Sequence, residues 1–123
     1  MPIGGKHQKG SWGNQFIAGL EPIEGDLILL KKAHSAFFFT HLHRQLRNLN
    51  IDTCLVTGGS SKACANDTVR DGIALGYQMI PIPDAIYPPN SPFLRVLGDR
   101  TRMMATEEVL AHLGKTANIR QEI

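Results

Sequence analysis

Cys64 and Lys31 are the two side chains whose positions could support covalent chemistry. Cys64 follows Gly58-Gly59-Ser60-Ser61 closely enough to fall in the first turn of a helix, where unpaired backbone N–H groups and the positive helix end favour a thiolate. The same N–H groups can hold an oxyanion, which is the other requirement of acyl transfer by a cysteine nucleophile. Lys31 closes the apolar run Leu27-Ile28-Leu29-Leu30, and a lysine at a strand's carboxyl end can reach over a site to stabilise developing negative charge. Plainer readings stand beside both: a small residue packed on a sheet for the cysteine, a solvated strand end for the lysine. Cys54 falls within a strand and reads as structural.

Other candidates carry less. The five histidines are His7, His34, His41, His43 and His112, and none forms a metal pair: His41 and His43 are two apart on a helix and point in different directions. No metal and no cofactor are expected. Gly58-Gly59-Ser60-Ser61-Lys62 has the flavour of a phosphate loop without its spacing, which makes nucleotide binding the minor reading. Asp67 and Asp71 are one helical turn apart; Asp71 could contribute an acid, but on a helix pointing away from the strand ends it reads as fixing a neighbouring turn or loop.

The elements that must position these groups follow from apolar periodicity. Leu27–Leu30 is a short continuous apolar run suited to a strand buried on both faces. Thr40 caps a helix whose Leu42, Leu46 and Leu49 recur at helical spacing. Thr53–Thr57 is the next strand, and Ser60 or Ser61 caps a helix that packs through Ala63, Ala65, Val69, Ile73 and Ala74 until Gly76. Tyr77–Ile82 is a third strand closed by Pro83-Asp84; a loop at Tyr87–Pro92, a short helix at Phe93–Leu97 and a helix capped by Thr106 through Leu113 complete the chain. This alternation predicts an α/β fold with a parallel sheet, whose ligands bind outside the carboxyl ends of the strands. Trp12, Phe37 and Tyr87 are candidates for a pocket wall or for core.

Composition bounds the function. The 123 residues, 42% hydrophobic and 20% charged, fit one domain, residues 1–123. Thirteen Lys and Arg against eleven Asp and Glu are scattered, and 7% aromatics do not interleave with them, which argues against nucleic acid. No apolar stretch nears the roughly 18 residues of a membrane span. Met1–Gly10, Gly- and Lys-rich, lacks the apolar core of a secretory signal, and residues 1–22, with five Gly and two Pro, read as irregular connection or a frayed start. Two cysteines are too few for a disulfide framework, and a reducing, cytoplasmic setting is expected.

Several segments, taken in order, resemble one family. Gly25-Asp26 before the apolar run, Lys31, Ser35-Ala36-Phe37, Thr40, Val56-Thr57-Gly58, Cys64, Thr68, Arg70-Asp71, Gly76-Tyr77 and Pro83-Asp84-Ala85 are similar to the isochorismatase-like cysteine hydrolases, from about residue 10 to 113. The resemblance implies a three-layer α/β/α hydrolase with a Cys-Lys-Asp catalytic set. By position Cys64 matches the nucleophile and Lys31 the catalytic lysine, while the N–H groups of Ser60 and Cys64 match an oxyanion hole preceded by a cis peptide at Gly59-Ser60. The cysteine favours the amide-cleaving branch, which acts on a small-molecule amide or carbamoyl substrate. The aspartate of that set belongs to a first strand that precedes the matched region. The expectation is therefore the C-terminal part of such a domain, lacking the first strands and their aspartate, with turnover dependent on that segment and homo-oligomerisation covering the open sheet. A non-catalytic ligand-binding or assembly module of the same fold is the alternative.

Overall fold

The computed structural model describes residues 15–95, 97 and 100–121. Expectations that fall on residues 1–14, including His7 and Trp12, lie outside the described residues. Six elements follow in order: α1 (Leu42–Asn48), β1 (Thr53–Gly59), α2 (Cys64–Ala74), β2 (Gln78–Tyr87), α3 (Pro92–Arg95) and α4 (Thr106–Gln121).

β1 and β2 pair in parallel, from Thr53 opposite Gln78 to Val56 opposite Pro81. The ladder then slips and resumes with Gly58 opposite Ile86 and Gly59 opposite Tyr87. One residue of β1, Thr57, thus spans the same interval as four of β2: Ile82, Pro83, Asp84 and Ala85. The third strand therefore does not close at Pro83-Asp84 as expected; Pro83 removes a ladder donor and the strand detours around it before pairing again.

Side-chain alternation along β2 divides the core between two faces. Met79 and Ile86 join Val69 and Ala65 of α2 with Leu46, Tyr77, Leu94 and Leu97. Ile80 and Ile82 meet Met104 and Val109 on the opposite face, beneath α4. Helices on both sides of a parallel sheet make the three layers that the alternation of elements requires. Gly72 lies where α2 crosses β2, and a Cβ there would collide with the Met79 side chain.

The helices α1 and α2 stop by the same device. After α1, Asn50 at φ 56 donates its N–H to the Arg47 carbonyl and Ile51 donates to Leu46. After α2, Gly76 at φ 94 donates to Ile73 and Tyr77 donates to Gly72. These are the paired bonds of a Schellman ending, which satisfies the last carbonyls and turns the chain into the strand that follows.

Helix starts depart from expectation. α2 begins after Ala63, without a side-chain cap, instead of at Ser60 or Ser61. The Ser60 carbonyl takes the N–H groups of Ala63 and Ala65, which makes a backbone turn where a serine cap was expected. α4 opens with Thr106 donating its N–H to the Asp84 carboxylate at 3.0 Å, so a carboxylate from β2 does the capping expected of Thr106. The largest difference is Leu27–Leu30, which forms no strand. No described strand offers this segment a ladder, and Leu27, Ile28 and Leu30 stay exposed. Apolar character alone does not make a strand without a partner edge.

Candidate functional site

The cysteine side of the site is built by the β1–α2 junction. β1 ends at Gly59, the Gly59–Ser60 peptide is cis, and Cys64 is the first residue of α2. A second cis peptide, Tyr87–Pro88, lies beside it, because Gly59 pairs with Tyr87 and Ser61 donates its N–H to the Tyr87 carbonyl at 2.9 Å. Ser61, Ala63 and Ala65 spend their N–H groups on backbone carbonyls, whereas no acceptor among the described residues takes the N–H of Ser60 or Cys64. Cys64 is a half-buried free thiol. Ser61 is wholly buried, and its hydroxyl has no hydrogen-bond partner among the described residues.

Gly58 and Gly59 serve as ladder residues, not as an open phosphate-cradling loop. A strand that continues to Gly59 leaves no glycine-rich loop between it and the helix, which weakens the nucleotide reading. Cys54 behaves as its mid-strand position implied: burial, with a smaller contribution from the Asp52 carboxylate, pushes its thiol above the ordinary range.

Lys31 stands on the other side. It is exposed, and its Nζ donates to the carbonyls of Ala33 and His34, each at 3.0 Å. The turn it closes is tied to α2 twice. The Ala36 N–H donates to Thr68 Oγ1 at 3.0 Å, and His34 Nδ1 lies 3.4 Å from Asp67 Oδ2. A cleft between the two is lined by Ala33, His34, Ser35, Phe38, Asp67, Arg70 and Asp71. Neither Lys31 nor Cys64 lines this cleft, and no described contact joins the two side chains directly.

Phe37 stacks on Tyr77 with centroids 5.7 Å apart, while Tyr87 is 74% exposed. His43 Nδ1 meets the Tyr77 hydroxyl at 2.7 Å, which ties α1 to the start of β2. Among the described residues no group of three His, Cys, Asp or Glu side chains gathers as a metal site would require, and no helix is long and apolar enough to cross a membrane. Sequence reasoning quoted Thr68 only for its resemblance and passed over the His34–Asp67 pair. The available signal was spacing: Asp67 and Thr68 follow Cys64 by three and four residues and therefore share its helix face.

Comparison with known proteins agrees with this fold. The chain is 38% identical over 85 residues to the ureidoacrylate amidohydrolase RutB of Cronobacter sakazakii, an alignment that takes in 69% of this chain and 37% of that protein. It thus spans a little over a third of the length of the curated relatives it matches. Among solved structures it resembles an isochorismatase-like hydrolase from Alkaliphilus metalliredigens, with TM-score 0.77 and 30% identity over 85% of this chain and 61% of that one. It also resembles N-carbamoylsarcosine amidase from Thermoplasma acidophilum, with TM-score 0.69 and 31% identity over 79% and 58% of the two chains. The isochorismatase domain model matches residues 2–109, and with the three-layer arrangement around β1 and β2 this shows that the chain belongs to the isochorismatase family.

Proposed function

We propose that the chain provides the cysteine and lysine of an amidohydrolase acting on a C–N amide or carbamoyl bond of a small molecule. The carrying observation is the β1–α2 junction, where Cys64 opens a helix and the N–H groups of Ser60 and Cys64 are free of protein acceptors among the described residues. Similarity to an amidohydrolase and to an amidase supports the bond type.

In this reading the Cys64 thiolate attacks the carbonyl carbon, and the carbonyl electron pair moves to oxygen. The Ser60 and Cys64 N–H groups donate to that oxyanion, and Lys31 supplies positive charge to the site. Collapse breaks the C–N bond, and the nitrogen leaves as ammonia or an amine after taking a proton. Water then adds to the thioester, the C–S bond breaks and the thiolate is restored. The family resemblance puts the proton-carrying aspartate ahead of the matched region, so turnover needs that segment to be present on the same or another polypeptide. No step calls for a cofactor.

The test is ammonia release from a panel of small amides and carbamoyl compounds, with a peptide carrying the aspartate segment added, followed by intact-mass detection of an acyl adduct on Cys64. An adduct lost in Cys64→Ala supports the reading. Equal ammonia release by Cys64→Ala removes Cys64 as nucleophile.

Self-association belongs to the same proposal. Ile17, Leu20, Ile23, Ile28 and Phe39 are exposed, and Leu55 of β1, beside Ile80 on the face beneath α4, is 44% exposed. Apolar surface of this kind favours a homo-oligomer, with assembly as the module's role if turnover is absent. Sedimentation velocity that finds only monomer across micromolar concentrations would remove that part.

A further inference from the structure

Segment 15–41 contains no strand and no helix, yet it carries Lys31. Among the described residues its only hydrogen bond to β1, α2 or β2 is the one from the Ala36 N–H to Thr68 Oγ1, and its only ion pair is His34 with Asp67. Both anchor points lie on α2 just beyond Cys64. Thr68 is four residues after the cysteine, about 6 Å along the helix axis at 1.5 Å per residue. Lys31 is bound in turn to this anchored stretch, because its Nζ donates to the carbonyls of Ala33 and His34.

A threonine inside a helix ordinarily turns its hydroxyl back to the carbonyl four residues earlier, which here would be Cys64. Instead the Thr68 oxygen accepts a backbone N–H from a segment 32 residues away in sequence. That donor is part-buried and finds no other acceptor, so loss of the hydroxyl leaves it unsatisfied.

The geometry points to Thr68 as a positioning residue: its hydroxyl seats the Lys31-bearing turn on the helix that begins with Cys64. One helix thereby holds both groups, the thiol covalently and the ammonium through the 33–36 turn. His34–Asp67 is a second strap beside it, partly exposed and weaker for that reason. This inference rests on the reading that Lys31 acts electrostatically on the Cys64 chemistry.

The experiment is the pH profile of iodoacetamide alkylation at Cys64, followed by peptide mass spectrometry on the full chain, with Cys54 as internal reference. Lys31→Ala is expected to displace the profile so that Cys64 reacts roughly tenfold more slowly near neutrality. Thr68→Val should reproduce at least half of that displacement, and Thr68→Ser, which keeps the hydroxyl, should return the profile to its original place. If Lys31→Ala changes nothing, the electrostatic reading of Lys31 fails and the inference fails with it. If Lys31→Ala moves the midpoint while Thr68→Val leaves it unchanged, the reading of Lys31 stands and Thr68 is not its positioner. A measurement on the unaltered chain guards against a variant that fails to fold. The Ala36 amide should exchange with solvent at least about tenfold more slowly than an unstructured amide. Exchange at the free-chain rate overturns the proposal.

Discussion

From Thr53 to Tyr87 the chain buries Val69, Met79, Ile82 and Ile86, pairs its strands over both ends and closes α2 with two carbonyl-satisfying bonds. From residue 15 to 40 it leaves Ile17, Leu20, Ile23, Ile28, Leu30 and Phe39 exposed, and its backbone bonds are isolated turns such as Leu20 to Ile17, Asp26 to Ile23 and Phe38 to Ser35. The first region carries Cys64 and the N–H groups of Ser60 and Cys64, unpaired among the described residues; the second carries Lys31. The difference teaches that the surroundings of Cys64 are fixed by the sheet itself, while Lys31 depends on a few contacts borrowed from α2. Apolar residues are plentiful in both regions, so supply of hydrophobic side chains is not what separates them. A partner surface for those side chains is.

The same truncation made in each region is the sharpest way to break this contrast. Ile86→Ala, in the core, is expected to cost about 2–5 kcal/mol, and Ile28→Ala, on the exposed run, to stay within about 0.5 kcal/mol. Urea unfolding of both variants measures it, and equal losses would mean that the exposed run is covered in solution. Gly72→Ala comes next: the added methyl meets Met79, and overpacking of this kind costs about 1–3 kcal/mol. Gly76→Ala should cost about 1 kcal/mol through its left-handed backbone, and Asp84→Ala a similar amount by uncapping α4, with thermal denaturation as the readout. The smallest effect is one of pH. The folded Cys54 thiol holds its proton to higher pH than the unfolded chain does, so stability is unaffected below the unfolded-thiol range and falls as pH rises through it. Cys54→Ser should flatten that decline, and alkylation of Cys54 should lag that of Cys64 at pH 8.

How much of this was legible in the sequence follows the same division. β1, α2 and the start of β2 could be read because each periodic segment has its partner nearby and glycines mark the joints. The Cys64 helix start was legible for the same reason, although the serine cap was not: the Ser60 carbonyl and the backbone turn took the place of a side-chain oxygen. Leu27–Leu30 misled because strand character depends on a neighbouring edge, which a run of four apolar residues does not encode. The extension of β2 beyond Pro83 was hidden because a proline ordinarily ends pairing, and here the ladder skips it. Thr68 was quoted for its resemblance and not for its role, since a contact between positions 36 and 68 carries no local sequence mark.

The slip in the β1–β2 ladder has a consequence for how such a domain can vary. β2 is in effect two strands joined end to end: Gln78–Pro81 belongs to the sheet, and Ile86–Tyr87 belongs to the floor of the Cys64 turn. The four residues between them carry Asp84, which caps α4, and Pro83, whose carbonyl receives the Asn90 N–H. An insertion or deletion there would shift α4 and the 88–92 loop while leaving Gly59 opposite Tyr87. The joint uncouples the outer layer from the inner one, so the rim of the site can be remodelled without retuning the backbone that presents the thiol.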